Sequence, residues 1–355
     1  MPAVRVVAVR VKVPSIRPPA LPVLDERQRG TKFVTLQSKS VLNAPEQTGM
    51  DFWSLNPYVG CEFGCTYCYA RFAHRYVVER AHDAGKLSDV EFADFRGPHG
   101  WEAFEQRIFV KEQILGALEF DLRRYFRWVG SAVRAPDTIV MGTATDPYQP
   151  AERQFRLTRA VLERLARCEG LSIGIITKSA LVARDAEVFL QIQRHNDLEV
   201  HISLMTLDVG LIRVLEARSP MPSVRLRALR KLTALGVNAG LIVAPVLPGI
   251  TDGTARLDAL FEAARRAGAK FLSASPLRLY PGIRDRFLPV LDEHCADLAN
   301  RYRRAYAGRG AAPRAYARAL AARVRRLQVK HGFPVRGMEN RYEKHRPRLQ
   351  EELAL

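Results

Sequence analysis

Five short apolar runs recur between Thr138 and Ser275, each followed by residues at helical spacing. This alternation constrains the fold more than any other feature of the chain. The runs are Thr138 to Gly142, Leu171 to Thr177, Leu198 to Leu204, Val237 to Val246 and Lys270 to Ser275. Between them, Phe155, Leu157, Val161, Leu162 and Leu165 mark one helix and Val188 to Ile192 another. Asp208 to Leu235 and Ala255 to Ala267 supply the rest. Strands alternating with helices predict βα units on a parallel sheet with right-handed crossovers. The extended stretch Phe52 to Tyr58 makes about six such units, fewer than the eight of a closed barrel. The expected fold class is therefore α/β, a partial (β/α)6 TIM-like barrel, with no internal repeat.

The flanks read differently. Residues 1–30 carry Pro14, Pro18, Pro19 and Pro22 without helical periodicity and read as flexible, while Lys32 to Leu36 offers one strand. Together, residues 1–50 form an irregular N-terminal extension. Arg71 to Gly100 is polar and reads as irregular. Ile108 to Lys111 reads as extended, and Ile114, Leu118, Leu122 and Tyr125 follow at helical spacing. From about Leu288 the chain is helical, with Leu291, Leu298, Tyr302 and Tyr306 on one face, then Tyr316, Leu320, Val324 and Leu327. The expected organisation is an extension over 1–50, a partial barrel over 51–285 and a basic helical region over 286–355.

The chemistry concentrates in Asn56 to Ala70, where Cys61, Cys65 and Cys68 fall as Cys-x-x-x-Cys-x-x-Cys in a loop punctuated by Gly60 and Gly64. Thiolates at that spacing can converge on one inorganic centre, and three of them leave one metal position open, as in a catalytic site. The other two cysteines, Cys168 and Cys295, lie far off in helical-looking sequence. Five cysteines, three of them clustered, do not form a disulfide framework. No apolar run reaches the length of a membrane span, and the Val/Arg alternation of Met1 to Lys12 is no secretory signal. The expected location is the cytoplasm.

The three cysteines, with Tyr67 just before the third, resemble the signature of the radical S-adenosylmethionine (SAM) enzymes, and the resemblance runs from about Val41 to about Tyr280. It implies the same barrel architecture and a [4Fe–4S] cluster held by Cys61, Cys65 and Cys68. The fourth iron would bind SAM, and one electron would cleave SAM to methionine and a 5′-deoxyadenosyl radical. It also implies an external electron donor of the flavodoxin or ferredoxin type. More narrowly, Thr145-Asp146-Pro147-Tyr148-Gln149 resembles a run of the spore photoproduct lyase-like (DNA repair photolyase-like) branch. That likeness implies SAM contacts from Tyr67, Thr143, Thr145, Lys178 and Ser203, and a Glu-x-Arg turn at Glu216 and Arg218. Read from the residues alone, Gly142 lets backbone approach a ligand. Glu216 and Arg218 read equally well as an internal salt bridge. His201 faces the same side of its strand as Ser203 and is, with Tyr148, a catalytic candidate. One departure stands out: the branch quenches its product radical with a cysteine after the cluster loop, and this chain has none between Cys68 and Cys168.

The formal charge is +18, and residues 301–350 hold fifteen Lys or Arg against two Glu. Such a balance favours a polyanionic partner, nucleic acid first, and no membrane. The leading expectation is a radical SAM enzyme, lyase- or repair-like, acting on nucleic acid. A radical SAM enzyme acting on a peptide, tRNA or small molecule is the first alternative. A non-catalytic nucleic-acid-binding module carrying a metal or cluster is the second.

Overall fold

The computed structural model describes residues 23–26, 30–96, 102–131 and 138–335. The chain begins with the short strands β1 (Val23–Glu26), β2 (Lys32–Thr35) and β3 (Leu42–Asn43), then helix α1 (Pro45–Thr48). Strands β4 (Trp53–Leu55) and β5 (Tyr58–Val59) lead into the cysteine loop. Helices α2 (Arg71–Asp83), α3 (Asp89–Arg96) and α4 (Glu102–Gln106) follow, then β6 (Arg107–Val110) and α5 (Ile114–Ser131). The regular alternation comes next: β7 (Ile139–Met141), α6 (Glu152–Phe155), α7 (Leu157–Leu165), β8 (Ser172–Thr177), α8 (Ala186–Ile192), β9 (Asp197–Ser203), α9 (Val209–Leu215), α10 (Pro222–Ala234), β10 (Ala239–Val246), α11 (Thr254–Arg266) and β11 (Leu272–Pro276). Helices α12 (Pro281–His294), α13 (Ala296–Ala305) and α14 (Arg314–Lys330) close the described chain.

The main sheet has the order β11-β10-β9-β8-β7-β4-β3. Its pairings from β4 through β11 are all parallel, and β3 adds antiparallel to β4. Six parallel strands make the expected partial barrel, which does not close because β11 and β3 remain as edges. A second sheet, β1-β2-β6-β5, lies outside it. The strand expected at Lys32 to Leu36 pairs parallel with β6, and β6 pairs antiparallel with β5. The extended stretch Ile108 to Lys111 thus belongs to this smaller sheet. The other residues read as a flexible start, 1–22 and 27–29, lie outside the described ones.

One expectation is corrected. The stretch expected to be irregular from Arg71 to Gly100 holds α2 and α3 over its described part, Arg71 to Arg96. The signal was His74, Val78 and Ala81 at i, i+4 and i+7, all buried, but a histidine and an alanine carry too little apolar weight to reveal a face. Long polar side chains otherwise cover the helix, and those favour helix without advertising a core.

The main core is continuous. Ile139, Met141, Ile173, Ile175, Val200, Ile202, Leu241 and Val243 are all essentially sealed from water and pack with Val161, Leu162, Phe189, Leu229 and Phe261. Each such side chain contributes about 1.5–3 kcal/mol of transfer free energy. Pro222 and Pro281 open α10 and α12, where a missing N–H costs nothing. Helix α14 packs on the edge strand β11 through Leu320, Val324 and Leu327, and Gln328 donates to the Leu272 carbonyl at 2.9 Å. That cover protects an edge that would otherwise invite pairing. Among the described residues no helix is long and apolar enough to cross a membrane.

Candidate active site

The cysteine loop starts where β4 ends, at the carboxyl edge of the parallel sheet, and three anchors hold it there. Asn56 joins the ends of β4 and β7: its amide nitrogen donates to Ser54 Oγ (2.9 Å) and Thr143 Oγ1 (3.0 Å). Its oxygen accepts from the backbone of Thr143 and Ala144 at 3.1 and 3.0 Å. Thr145 and Gln149 form the second anchor, both donating to the Gly60 carbonyl, at 2.5 and 3.0 Å. Gln149 Oε1 also accepts from Glu62 N–H at 3.1 Å. The third anchor is the turn after α9. Thr66 N–H donates to the Leu215 carbonyl (2.9 Å), Arg218 N–H donates to the Phe63 carbonyl (3.1 Å), and Cys65 bridges to Glu216.

Two glycines are required by this construction. Gly60 has φ +92°, and a Cβ there would lie 2.9 Å from the Phe104 carbonyl. Gly142 has φ +101°, and its Cβ would lie 2.2 Å from the Ile176 carbonyl. The neighbouring strand β8 is what crowds Gly142.

Cys61 and Cys65 are buried and Cys68 is half-buried. Burial pushes the Cys61 thiol well up, carries Cys65 to about 12, and raises Cys68 as well. Such thiols are poor nucleophiles, and they ionise when a metal supplies the balancing charge. Among the described residues no group of three or more His, Cys, Asp or Glu is arranged to hold a single metal ion. An iron–sulfur cluster instead takes each thiolate on a different iron. The donor set fits a cluster and does not fit a closed zinc site.

Beside the thiols lies a buried polar network. Tyr67 donates its phenol to Glu216, which forms a fully buried ion pair with Arg225. Every arm of Arg225 is used: Pro220 O (2.7 Å), Ser203 O (2.9 Å) and Ser219 Oγ (2.5 Å) accept the remaining bonds. Burial disfavours the Glu216 carboxylate, but Arg225, Lys178 and the Tyr67 hydroxyl outweigh it and hold the group below its ordinary value. Lys178 sits 5.9 Å from the centre of the Tyr67 ring. Burial opposes its charge, yet Cys65 and Glu216 nearby hold the ammonium above its ordinary value. Glu216 and Arg218 do not form the internal bridge that the sequence suggested: Arg218 pairs with the buried Glu105.

The fold places Lys178 and Ser203 at the carboxyl ends of β8 and β9, while Tyr67 stands in the thiol loop itself. Thr143 and Thr145 come there too, but their hydroxyls are committed to the loop anchors. His201 lies lower on β9, half-buried, with Nε2 3.3 Å from Glu199 and its ring 4.8 Å from that of Phe271. Tyr148 is sealed in the core, where burial and then Asp185 push its phenol well up. Cys168 is at the opposite, amino-terminal side of β8, where its carbonyl accepts from Asn196 at 2.8 Å. Sequence reasoning missed Asn56, Asp146, Glu105, Arg71 and Arg225. Asp146 ties β7 to β8 by accepting from Thr177 Oγ1 (2.6 Å) and Lys178 N–H (2.8 Å). Its place directly after the site residue Thr145 was a usable signal; the partners of Glu105 and Arg225 left none.

Comparison with known proteins agrees with this geometry. An uncharacterized protein of Mycobacterium tuberculosis is 31% identical over 304 residues, covering 85% of this chain and 82% of that protein. One from Methanocaldococcus jannaschii is 27% identical over 221 residues, 62% of this chain and 70% of its own. Among solved structures, spore photoproduct lyase with bound AdoMet and dinucleoside spore photoproduct superposes with TM-score 0.58 at 14% identity, covering 84% of this chain and 79% of that one. At that identity the likeness is one of fold. The Radical SAM superfamily model matches residues 55–261, more than half of the chain, from the thiol loop into the middle of α11. The chain therefore belongs to the radical SAM superfamily, whose enzymes use a [4Fe–4S] cluster and SAM.

Proposed function

We propose that Cys61, Cys65 and Cys68 hold the cluster of this enzyme, that Tyr67, Lys178 and Ser203 line the SAM side, and that the substrate is a nucleic acid, acted on in a lyase- or repair-like reaction. When bound, the cluster supplies the electron that cleaves SAM to methionine and a 5′-deoxyadenosyl radical. The chain's own residues orient and shield. Phe63 and the buried loop backbone keep water from the thiols. Lys178 offers a fixed ammonium to a carboxylate, and its N–H is held by Asp146 at 2.8 Å. Glu216 and Arg225 hold Tyr67 in place, while Thr143 and Thr145 position the loop. The protein's share of such chemistry is binding, aim and exclusion of solvent.

The observation that carries this reading is the anchoring of one three-thiol loop between the β7 end and the turn after α9. The nucleic-acid part rests on charge. The formal charge is +18, and Arg301, Arg304, Arg314, Arg318, Arg325 and Arg326 are exposed on α13 and α14. Guanidiniums on exposed helices track phosphate without reading sequence. Residues 336–350 of the basic stretch lie outside the described ones.

The test is anaerobic. After reconstitution with iron and sulfide, reductant and SAM should release 5′-deoxyadenosine, and Cys65→Ala should abolish both the release and the visible absorbance. Bound zinc without absorbance or cleavage would overturn the assignment of the three cysteines. Single-stranded DNA that neither binds at low salt nor alters the rate of SAM cleavage would overturn the substrate class.

A further inference from the structure

Three arginines from three separate elements converge on one buried carboxylate at the mouth of the thiol loop. Glu105, on α4, is contacted by Arg71 from α2, by Arg218 from the turn before α10, and at 3.7 Å by Arg286 from α12. The carboxylate touches the loop itself: a Cβ on Gly64 would meet Glu105 Oε2 at 3.0 Å and Arg218 Nε at 3.4 Å. Arg71 also donates to the Cys65 carbonyl at 3.1 Å.

The three guanidiniums differ in what they can still do. Arg71 has a side chain only 1% exposed and belongs to the interior, as the partner of Glu105 and of the cysteine loop. Arg218 and Arg286 have side chains 37% and 32% exposed, so both reach solvent beside that loop. Arg286 makes the longest of the three contacts, and among the described residues its buried Nε has no hydrogen-bond partner. Each guanidinium carries five N–H donors, and a carboxylate already shared with Arg71 cannot engage both outer forks. What remains is paired, planar donor capacity with excess positive charge, held on rigid elements. That is the chemistry that receives a phosphate bidentately.

We propose that Arg218 and Arg286 form a phosphodiester seat that holds the substrate backbone at the mouth of the cysteine loop, with Glu105 as the positioning residue that orients them. This rests on the nucleic-acid reading above and adds to it the place where the backbone is gripped. The exposed arginines of α13 and α14 supply diffuse attraction. The seat supplies register, bringing one nucleotide to the radical.

The test measures binding of a short, fluorescein-labelled single-stranded DNA to the cluster-loaded full chain over a range of salt. The variants are Arg286→Gln, the double Arg218→Gln/Arg286→Gln and the double Arg→Lys. Iron content and thermal midpoint report folding. Should the double Gln variant lose iron, Arg286→Gln carries the test, because Arg286 makes the longest contact with Glu105. The expected result is binding weakened about tenfold or more by the double Gln variant. The slope of log K against log salt should fall by about 0.7, the share of one phosphate of a single strand, with partial rescue by Lys. Unchanged DNA binding in both Gln variants would overturn the seat and leave the nucleic-acid reading standing. Failure of the wild type to bind at low salt would overturn both. An acidic peptide whose binding depends on the two arginines, with DNA binding unaffected by them, would overturn it in favour of a peptide substrate. A loss of SAM affinity alone would reassign the pair to the cofactor's carboxylate.

Discussion

Tyr67 and Glu216 lie 149 residues apart and share a buried hydrogen bond one residue before the third cysteine of the loop. Glu216 is also the counterion of Arg225, with both side chains fully buried. The link joins the thiol loop to the turn after α9, so the geometry of the cysteines depends on a charge pair that the loop does not contain. Replacing Glu216 by Gln should destabilise the protein by about 3–5 kcal/mol, because it leaves the Arg225 charge buried without its partner. Tyr67→Phe removes one hydrogen bond and should cost only about 1–2 kcal/mol. Denaturant titration orders the two. Equal effects would mean that the network is not organised around the ion pair.

Thr145 and Gln149 hold the Gly60 carbonyl from the next strand end. Thr145→Val keeps the volume and removes the hydroxyl, so its main effect should fall on the loop. The expected loss of global stability is about 1–2 kcal/mol, with fewer irons retained per chain after reconstitution. Full iron retention would show that Gln149 anchors the loop alone.

Gly142 is the tightest point of the strand edge. Gly142→Ala adds a Cβ at a positive φ and within 2.2 Å of a carbonyl of β8. The strain and the clash together should cost about 3 kcal/mol or more. The readout is the yield of folded protein and its thermal midpoint. A soluble variant of unchanged stability would show that β7 and β8 can separate at their carboxyl ends.

His74 makes stability depend on pH. It is buried against Phe95, Phe104 and Phe109, with Nε2 2.9 Å from the Arg107 carbonyl, and burial lowers it from the usual 6.5 to about 4. Between pH 4 and 6.5 the unfolded chain therefore binds more protons at this site than the folded one, and stability rises with pH across that window. The stabilisation is present above about 6.5 and is lost as pH falls through 4, by about 3 kcal/mol in total. His74→Gln should flatten that part of the profile, measured by denaturation at successive pH values. An unchanged slope would locate the acid sensitivity elsewhere.

Neighbouring residues alone carry the order of the βα units, the thiol loop at the end of the first parallel strand, and the excess of positive charge. These are local properties. Periodicities of 2 and 3.6 are written in neighbouring residues, and three cysteines within eight residues need no fold to be adjacent. What holds that loop emerges only on folding. Asn56, Gln149 and Asp146 are ordinary polar residues until strand ends are brought together. Arg225 reads as a surface charge on α10 until its partner, nine residues earlier, is buried beside it. Folding also pairs Glu216 with Arg225 while Arg218 turns to Glu105. Hydrogen bonds and ion pairs between residues far apart in sequence leave no periodic trace. The scaffold of the site was therefore legible in the chain, and the network that orients it was not.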